Sequence, residues 1–429
     1  MGIGFLFIGL LVLLFAGVPI MASLLGASLA SAAVGGQNLL AIVQRYFTSV
    51  DSFSLIAVAF FMLSGSVMEK GGVSKRLIDL ISLDLDKLPG GLAVVAIVAS
   101  AFFGAISGSA PATVAAIGGL MLPAMLDAGY DKPFALATVA TAGCLGSIIP
   151  PSIMMVNYGV SAEVSVGDLF ITGFFPGILL TVMFSIYAVI HGKKHNLYLT
   201  SGERGKKTLK VRVKVFINAI PALIMPVIIL GGIYGGIFTP SEAGCVAAVY
   251  GFVAGFFIYK ELKPAMVPSI CVETIVNTSM IMAIIGGAGA FGSLMTKYQV
   301  TTMVSNGILN MTSSPIVFLL LFNIFMLFVG MFMEANAAII LITPVLLPVA
   351  KAFNIDPLFF GIIMVLNVVF GLLTPPVGIN LFVACGIKGE KMSEILKKPL
   401  WIYLGICLVM LAIFTYCPSV TLFFHHLFS

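Results

Sequence analysis

The stretch Gly146 to Asn157, GSIIPPSIMMVN, sets two consecutive prolines inside an otherwise apolar run. A regular helix cannot pass through it. The Pro150-Pro151 pair removes two backbone donors and pushes Ile149 out of the α region, so carbonyls around Cys144 to Ile149 lose their intrahelical partners. In lipid those carbonyls need another partner, which makes the break a place to hold something polar. The same device returns 225 residues later in GLLTPPVGIN, Gly371 to Asn380, with Pro375-Pro376 and again an asparagine just beyond. The twin breaks read as two halves of one binding site.

Working outward, composition fixes the solvent. With 60% hydrophobic and 9% charged residues in 429, and a mean hydropathy of +1.15, too little polar surface remains to cover a soluble domain. The chain reads as an all-α polytopic membrane protein. Its first apolar run lacks a basic leader and reads as a retained span. Six scattered cysteines with no CxxC pair read as small buried hydrophobes. The net charge of +5 is local: Lys193 to Lys214 holds eight Lys/Arg against Glu203 alone. Tightly flanked by apolar spans, it is a cytoplasmic loop rather than a nucleic-acid patch.

The pattern then divides in two. Residues 1–190 form a first repeat: scaffold spans over 3–68, a hairpin over 91–126, a broken helix over 134–159 and a span over 169–190. Within the scaffold, Ile3 to Ala16 and Pro19 to Val34 are short for two crossings, and Leu39 to Ser52, with Arg45 and Asp51, lies at the interface. Between 69 and 89 the pattern RLIDLISLDLDKL predicts an amphipathic surface helix. A basic linker, 191–215, leads to a second repeat over 216–417: scaffold spans over 216–296, a hairpin over 316–350, a broken helix over 358–387 and a span over 400–417. A tail, 418–429, follows. Each hairpin has two half-length apolar arms around a polar tip, GAISGSAPAT in the first and MFMEANAA in the second, which describes a re-entrant loop better than full crossings. Met68-Glu69-Lys70 aligns with Met295-Thr296-Lys297, Gly104 with Gly330 and Pro123 with Pro348, at offsets of 225 to 227.

Charge tests this division independently. Five crossings and one hairpin per half invert the second repeat relative to the first. With the basic linker inside, both termini are periplasmic, and 19 of the 22 Lys/Arg fall inside; only Arg45, Lys297 and Lys351 fall outside.

About ten crossings with two hairpins and two broken helices in inverted repeat are the architecture of a secondary transporter with its site near the midplane. Unwound carbonyls and half-helix termini hold ions there. The expected Na⁺ ligands are Ser107, Gly108, Ser109, Gly143, Gly146 and Pro150 at one break, and Glu334, Asn336, Gly371, Thr374 and Pro375 at the other. Oxygen donors of this kind suit a hard, weakly held cation, and no His/Cys set for a transition metal is present. Substrate contacts are expected from Ser109, Thr113, Pro151, Asn157, Asn336 and Asn380. Serine and glycine in membrane helices pack more often than they ligate. Two Pro-Pro pairs at equal offset beside polar residues favour the functional reading, and an intramembrane carboxylate such as Glu334 is a functional hypothesis in itself. Glu242 and Glu273 near helix ends read as structural. No histidine falls well inside a span, so a His proton relay is not expected. All four arginines (Arg45, Arg76, Arg204, Arg212) lie outside the predicted core, leaving an anion to helix termini, hydroxyls and bound Na⁺.

The motifs GAISGSAPAT, GSIIPPS with Asn157, GGIYGGIFTPSEAG (231–244), GMFMEANAA and GLLTPPVGIN together resemble the large membrane subunit of tripartite ATP-independent periplasmic (TRAP) transporters, over essentially the whole chain. Within that family the chain looks most like the sialic acid permeases. The resemblance implies an elevator-type, Na⁺-coupled importer of organic acids in the bacterial inner membrane. It also implies two partners, a small four-span membrane subunit and a soluble periplasmic substrate-binding protein, and no cofactor beyond Na⁺ as coupling ion. Two other classes compete. A stand-alone divalent-anion/sodium symporter of similar fold would need neither partner; a neighbouring gene for a secreted binding protein separates the two. An intramembrane enzyme finds no metal pattern or Ser/Lys dyad at membrane depth, and no GxxxxGK[ST] segment supports ATP hydrolysis.

Overall fold

The computed structural model describes residues 2–85, 88–197 and 209–428, so residues 198–208 of the basic linker lie outside the described part. Every regular element among the described residues is helical. The chain opens with α1 (Gly2–Phe15) and α2 (Ile20–Val34), packed side by side, then α3 (Leu39–Val50), α4 (Phe53–Lys70) and α5 (Val73–Ile81). At about 21 and 22 Å, α1 and α2 are each shorter than a hydrocarbon core of about 30 Å. The Ser31 hydroxyl ties the pair together by donating to Gly2 O at 2.7 Å. The first hairpin is α6 (Gly91–Ser107) and α7 (Ala110–Asp127); the first broken helix is α8 (Lys132–Ile148) and α9 (Ile153–Ala162); α10 (Val166–Lys194) completes the half. Asp131 starts α8 by accepting from Phe134 N at 3.1 Å, and Ser152 restarts the chain as α9 by accepting from Met155 N at 3.4 Å.

The second half repeats this order. Its helices are α11 (Leu209–Tyr234), α12 (Pro240–Val253, continued by a π turn to Ile258), α13 (Val267–Lys297), α14 (Val300–Met311), the hairpin α15 (Pro315–Phe332) and α16 (Ala335–Ala352), and the broken helix α17 (Pro357–Gly371) and α18 (Ile379–Gly386). After a single turn, α19 (Met392–Ile395), come α20 (Lys398–Tyr416), α21 (Pro418–Thr421) and α22 (Phe423–Phe428). A full capping box on Thr239 and Glu242 sets the start of α12, which confirms a structural role for that glutamate.

Nine helices among the described residues are long and apolar enough to cross a membrane, or ten with the pair α8 and α9, which bends by 41° at the Pro150-Pro151 break; the nine include the hairpin arms α7, α15 and α16, which at 18 residues each are longer than the half-length arms expected. Helices α4, α12 and α13 pack closely, with α2 and α3 on α13 and α11 against α12. Helices α6 to α10, with α15 to α20, make a second, more deeply buried body: every residue of α8 from Phe134 to Ile148 is buried. Its aromatic girdle includes Tyr403, edge-on to Phe184 and Tyr187, with its hydroxyl 3.0 Å from that of Thr138.

The repeat is visible in the element ends. Lys70 and Lys297 close α4 and α13, Val73 and Val300 open α5 and α14, and Ser109 and Glu334 hold the position just before α7 and α16 at the same register. Gly72 and Gln299 take the same left-handed conformation between the paired helices. Both Pro-Pro bonds are cis.

Three expectations change. The amphipathic helix expected through 69–89 runs only over Val73–Ile81. Beyond it, the closely spaced aspartates of LDLDK and then Pro89-Gly90-Gly91 oppose helix continuation, and Asp84 pairs with Arg212 of α11 instead. Residues 300–311, for which the sequence reading offered no element, form α14, the counterpart of α5. The segment from 418, read only as a tail, returns to α10, setting Phe423 and Phe424 against Phe174 and Phe175.

Candidate functional site

Each hairpin tip is seated on its broken helix by a pair of glycines. A methyl group on Gly104 would lie 2.6 Å from Gly146 Cα, and one on Gly371 would lie 2.5 Å from Gly330 Cα. Only hydrogens fit, so the arms of α6 and α8, and of α15 and α17, meet backbone to backbone. Gly143 extends the first contact, facing Val114 and Ala110 O of α7. Serine, alanine and glycine around both breaks thus serve close approach first, and that approach brings oxygen atoms together.

At the first tip, Gly108 turns the chain at φ +63°, a conformation that favours glycine. Ser107 Oγ and Thr113 Oγ1 stand 3.0 Å apart, and Thr113 donates to Ser109 O at 2.8 Å. The break answers from below. Ser147 Oγ accepts from Ala110 N at 2.8 Å, Ser152 Oγ donates to Ser147 O at 2.6 Å, and Ile153 N donates to Gly108 O at 3.3 Å. Pro150 and Pro151 carry the chain past the tip, with Pro151 O close above Gly108. Helix α4 closes the outer side, where Gly65 approaches Ser107 Cα.

At the second tip, Glu334 caps α16. Its Oε2 accepts from Ala337 N at 2.8 Å and its Oε1 from Asn336 Nδ2 at 2.7 Å. Asn336 Oδ1 in turn accepts from Asn157 Nδ2 at 2.9 Å. Asn157 is fully buried and its Oδ1 has no partner among the described residues, nor do the side-chain oxygens of Thr141, Asn367 Oδ1 and Asn380 Oδ1. Such groups are costly in an apolar interior. At the second break Thr374 Oγ1 donates to Phe370 O at 2.9 Å, with Pro375 following.

The far arms of the broken helices cross over, which corrects the expected pairing. Helix α9 of the first break packs on α16, and α18 of the second packs on α7 and α8. Asn157 therefore meets Asn336, which links it to Glu334, whereas Asn380 reaches Ala140 O at 3.3 Å and Cys144 Sγ at 3.4 Å. Both tips and both breaks converge on one cavity of about 170 Å³, lined by Ser109, Ser147, Glu334, Asn336 and Leu372 among others. Thr113, Asn157 and Asn380 are buried behind it.

A second, larger cavity of about 490 Å³ opens where α3 and α13 face α9 and α16. Arg45, Ser49, Ser161, Glu163, Ser293 and Thr296 supply its polar groups, and Gly289 and Gly292 flatten one wall. Arg45, placed at the interface by sequence, thus supplies a guanidinium to a cavity shared by both bodies. The small-residue run GGAGAFGS on α13 is the one sequence signal that such a cavity could leave. Among the described residues no group of three His, Cys, Asp or Glu side chains could hold a metal ion, and the donor set at both tips is oxygen.

A helical membrane bundle in which two hairpin tips meet two broken helices defines a transporter permease. The chain matches the family model described as tripartite ATP-independent periplasmic transporter, DctM component, over residues 7–420, and it belongs to that family. It is 43% identical over 412 residues to the isethionate TRAP transporter permease protein DctMQ of Oleidesulfovibrio alaskensis, covering 96% of this chain and 64% of that protein. The chain thus spans just under two thirds of that relative. It is 40% identical to the C4-dicarboxylate TRAP transporter large permease protein DctM of Pseudomonas aeruginosa (88% of this chain, 87% of that one). The sialic acid TRAP transporter large permease protein SiaM of Vibrio cholerae is 34% identical (98% and 97%). Identity therefore does not single out the sialic acid permeases. The crystal structure of the Alcanivorax borkumensis YdaH transporter shares the fold, with a TM-score of 0.59 at 15% identity over 90% of this chain and 87% of that one.

Proposed function

We propose that this large permease imports a small organic acid by Na⁺ symport, with the body of α6–α10 and α15–α20 carrying the site across the membrane against the scaffold of α1–α4 and α11–α13. The observation that carries the reading is the convergence of two oxygen-lined tips on one cavity, with a capped carboxylate at its edge. One Na⁺ would lie at Ser107–Ser109 with the backbone of Gly143 to Pro150. The other would lie at Glu334 and Asn336 with the backbone of Gly371 to Pro375. Partly dehydrated Na⁺ takes oxygen ligands, and the partnerless Oδ1 of buried Asn157, whose amide is bonded to Asn336, is a further acceptor. Arg45 stands on the scaffold side of the larger cavity, where it would meet the acid's anionic group as substrate enters and release it as the core moves away. Of the expected substrate contacts, Ser109 and Asn336 line the smaller cavity and would complete the substrate surface.

Relatives named for isethionate, C4-dicarboxylates and sialic acid share only the acid group. A cavity of about 490 Å³ with a single arginine favours one anionic group rather than two. The reading includes a small membrane subunit, a periplasmic binding protein that delivers substrate, and an inner-membrane location with both termini periplasmic. A stand-alone symporter of similar fold is the alternative, and uptake by this chain alone, without any binding protein, would establish it. Thermal-shift screening of candidate acids against a binding protein encoded beside this chain, followed by vesicle uptake, tests the substrate class. Stabilisation by dicarboxylates alone would contradict the single-anion reading.

A further inference from the structure

Along one seam, α6 and α10 face α11 without closing on it, and two cavities lie there end to end. The first, about 610 Å³, is walled by Phe102, Ile178, Val182, Val227 and Leu230 among others. The second, about 400 Å³, continues through Val94, Ile186 and Ile190 to Leu85 and Leu88. Val98, Thr181 and Val182 line both, so one groove follows α10 from Phe174 to Ile190. That length is about 24 Å, against a hydrocarbon core of about 30 Å. The groove offers a ligand no hydrogen bonds from α10: Thr181 Oγ1 is engaged with Gly177 O at 2.8 Å and Ser185 Oγ with Thr181 O at 2.7 Å.

The groove is also narrow. Spread along α10, the two volumes leave cross-sections of roughly 50 and 30 Å², tapering toward Ile190. The end at Ile190 is basic. Lys193 is exposed, lies seven residues beyond Ile186 on the same face of α10, and has no ion-pair partner among the described residues. On α11, Arg212 pairs with Asp84, the neighbour of groove-lining Leu85, which brings its guanidinium to this end.

We propose that this groove binds an anionic phospholipid, with hydrocarbon chain along α10 and phosphate between Lys193 and Arg212. Charge at one end and walls that are apolar apart from Tyr234 at the other match that ligand, because a cationic end attracts anionic headgroups. The lipid would fill the seam that α10 and α11 leave between the two bodies.

The purified full-length chain, reconstituted in nanodiscs of mixed phosphatidylglycerol and phosphatidylethanolamine, should retain phosphatidylglycerol several-fold above its share of the mixture when released and read by native mass spectrometry. Val182→Trp should fill the waist of the groove and lower retained lipid several-fold. Val182 is 47% exposed, as is Ile186, so Ile186→Trp gives a second variant that spares the fold. Lys193→Gln with Arg212→Gln should keep the lipid but let its composition fall to that of the nanodisc. Unchanged retention in a folded tryptophan variant, or a photo-crosslink from Ile186 to polypeptide instead of lipid, would overturn the proposal.

Discussion

At Glu334 a carboxylate caps α16 from inside the bundle, accepting from Ala337 N and from Asn336, which is itself held by Asn157. Capping needs only an oxygen acceptor, which glutamine keeps; holding a cation also needs the charge. Glu334→Gln keeps the oxygen for Ala337 N but sets an amide N–H₂ against that of Asn336, so it should cost only about 1 kcal/mol of stability, one hydrogen bond. It should raise the Na⁺ concentration for half-maximal uptake by tenfold or more, about 1.4 kcal/mol. Equal loss of stability and Na⁺ affinity would reduce Glu334 to a cap. Ser107→Ala and Asn336→Ala should weaken Na⁺ dependence in the same direction, and unchanged Na⁺ dependence in both would sink the cation-site assignment. For Arg45, a change to Gln should raise KM for the acid while leaving the Na⁺ dependence in place. If instead substrate KM is untouched, the larger cavity is not the entry site.

The elements record why some of this was legible and some was not. Proline pairs act through the backbone of their own neighbourhood, so both breaks could be read at Pro150 and Pro375 without knowing any partner. Tip polarity is equally local, which is why Ser107 to Thr113 and Glu334 to Asn336 stood out. The crossing of α9 to α16 and of α18 to α7 and α8 is tertiary, and no spacing encodes it; hence Asn380, expected among the substrate contacts, sits instead on Ala140 and Cys144. Arg45 shows the same limit: its helix reads as interfacial, and only packing on α13 turns it toward a cavity. The glycine pairs yield a prediction at this scale. Gly146→Ala or Gly371→Ala should push a methyl group into the facing backbone and cost about 1–3 kcal/mol, as overpacking does, read as a lowered unfolding temperature in detergent. Gly119→Ala, with open space around it, is the control and should be near neutral.

For the whole molecule, two halves with matching caps, turns and breaks enclose a site that neither half could form alone, since each tip receives the far arm of the other half's broken helix. In the proposed mechanism this body moves as a unit against a scaffold that touches it through Gly65 and through the wall around Arg45. The account's central claim is that the oxygen-lined tips bind Na⁺ and couple its gradient to entry of the acid. The most direct test is uptake of the acid into vesicles holding the reconstituted permease with its partner proteins, at equal membrane potential, with and without an inward Na⁺ gradient. Accumulation that requires the Na⁺ gradient and is lost in Glu334→Gln is the expected result; equal accumulation without Na⁺ would contradict it.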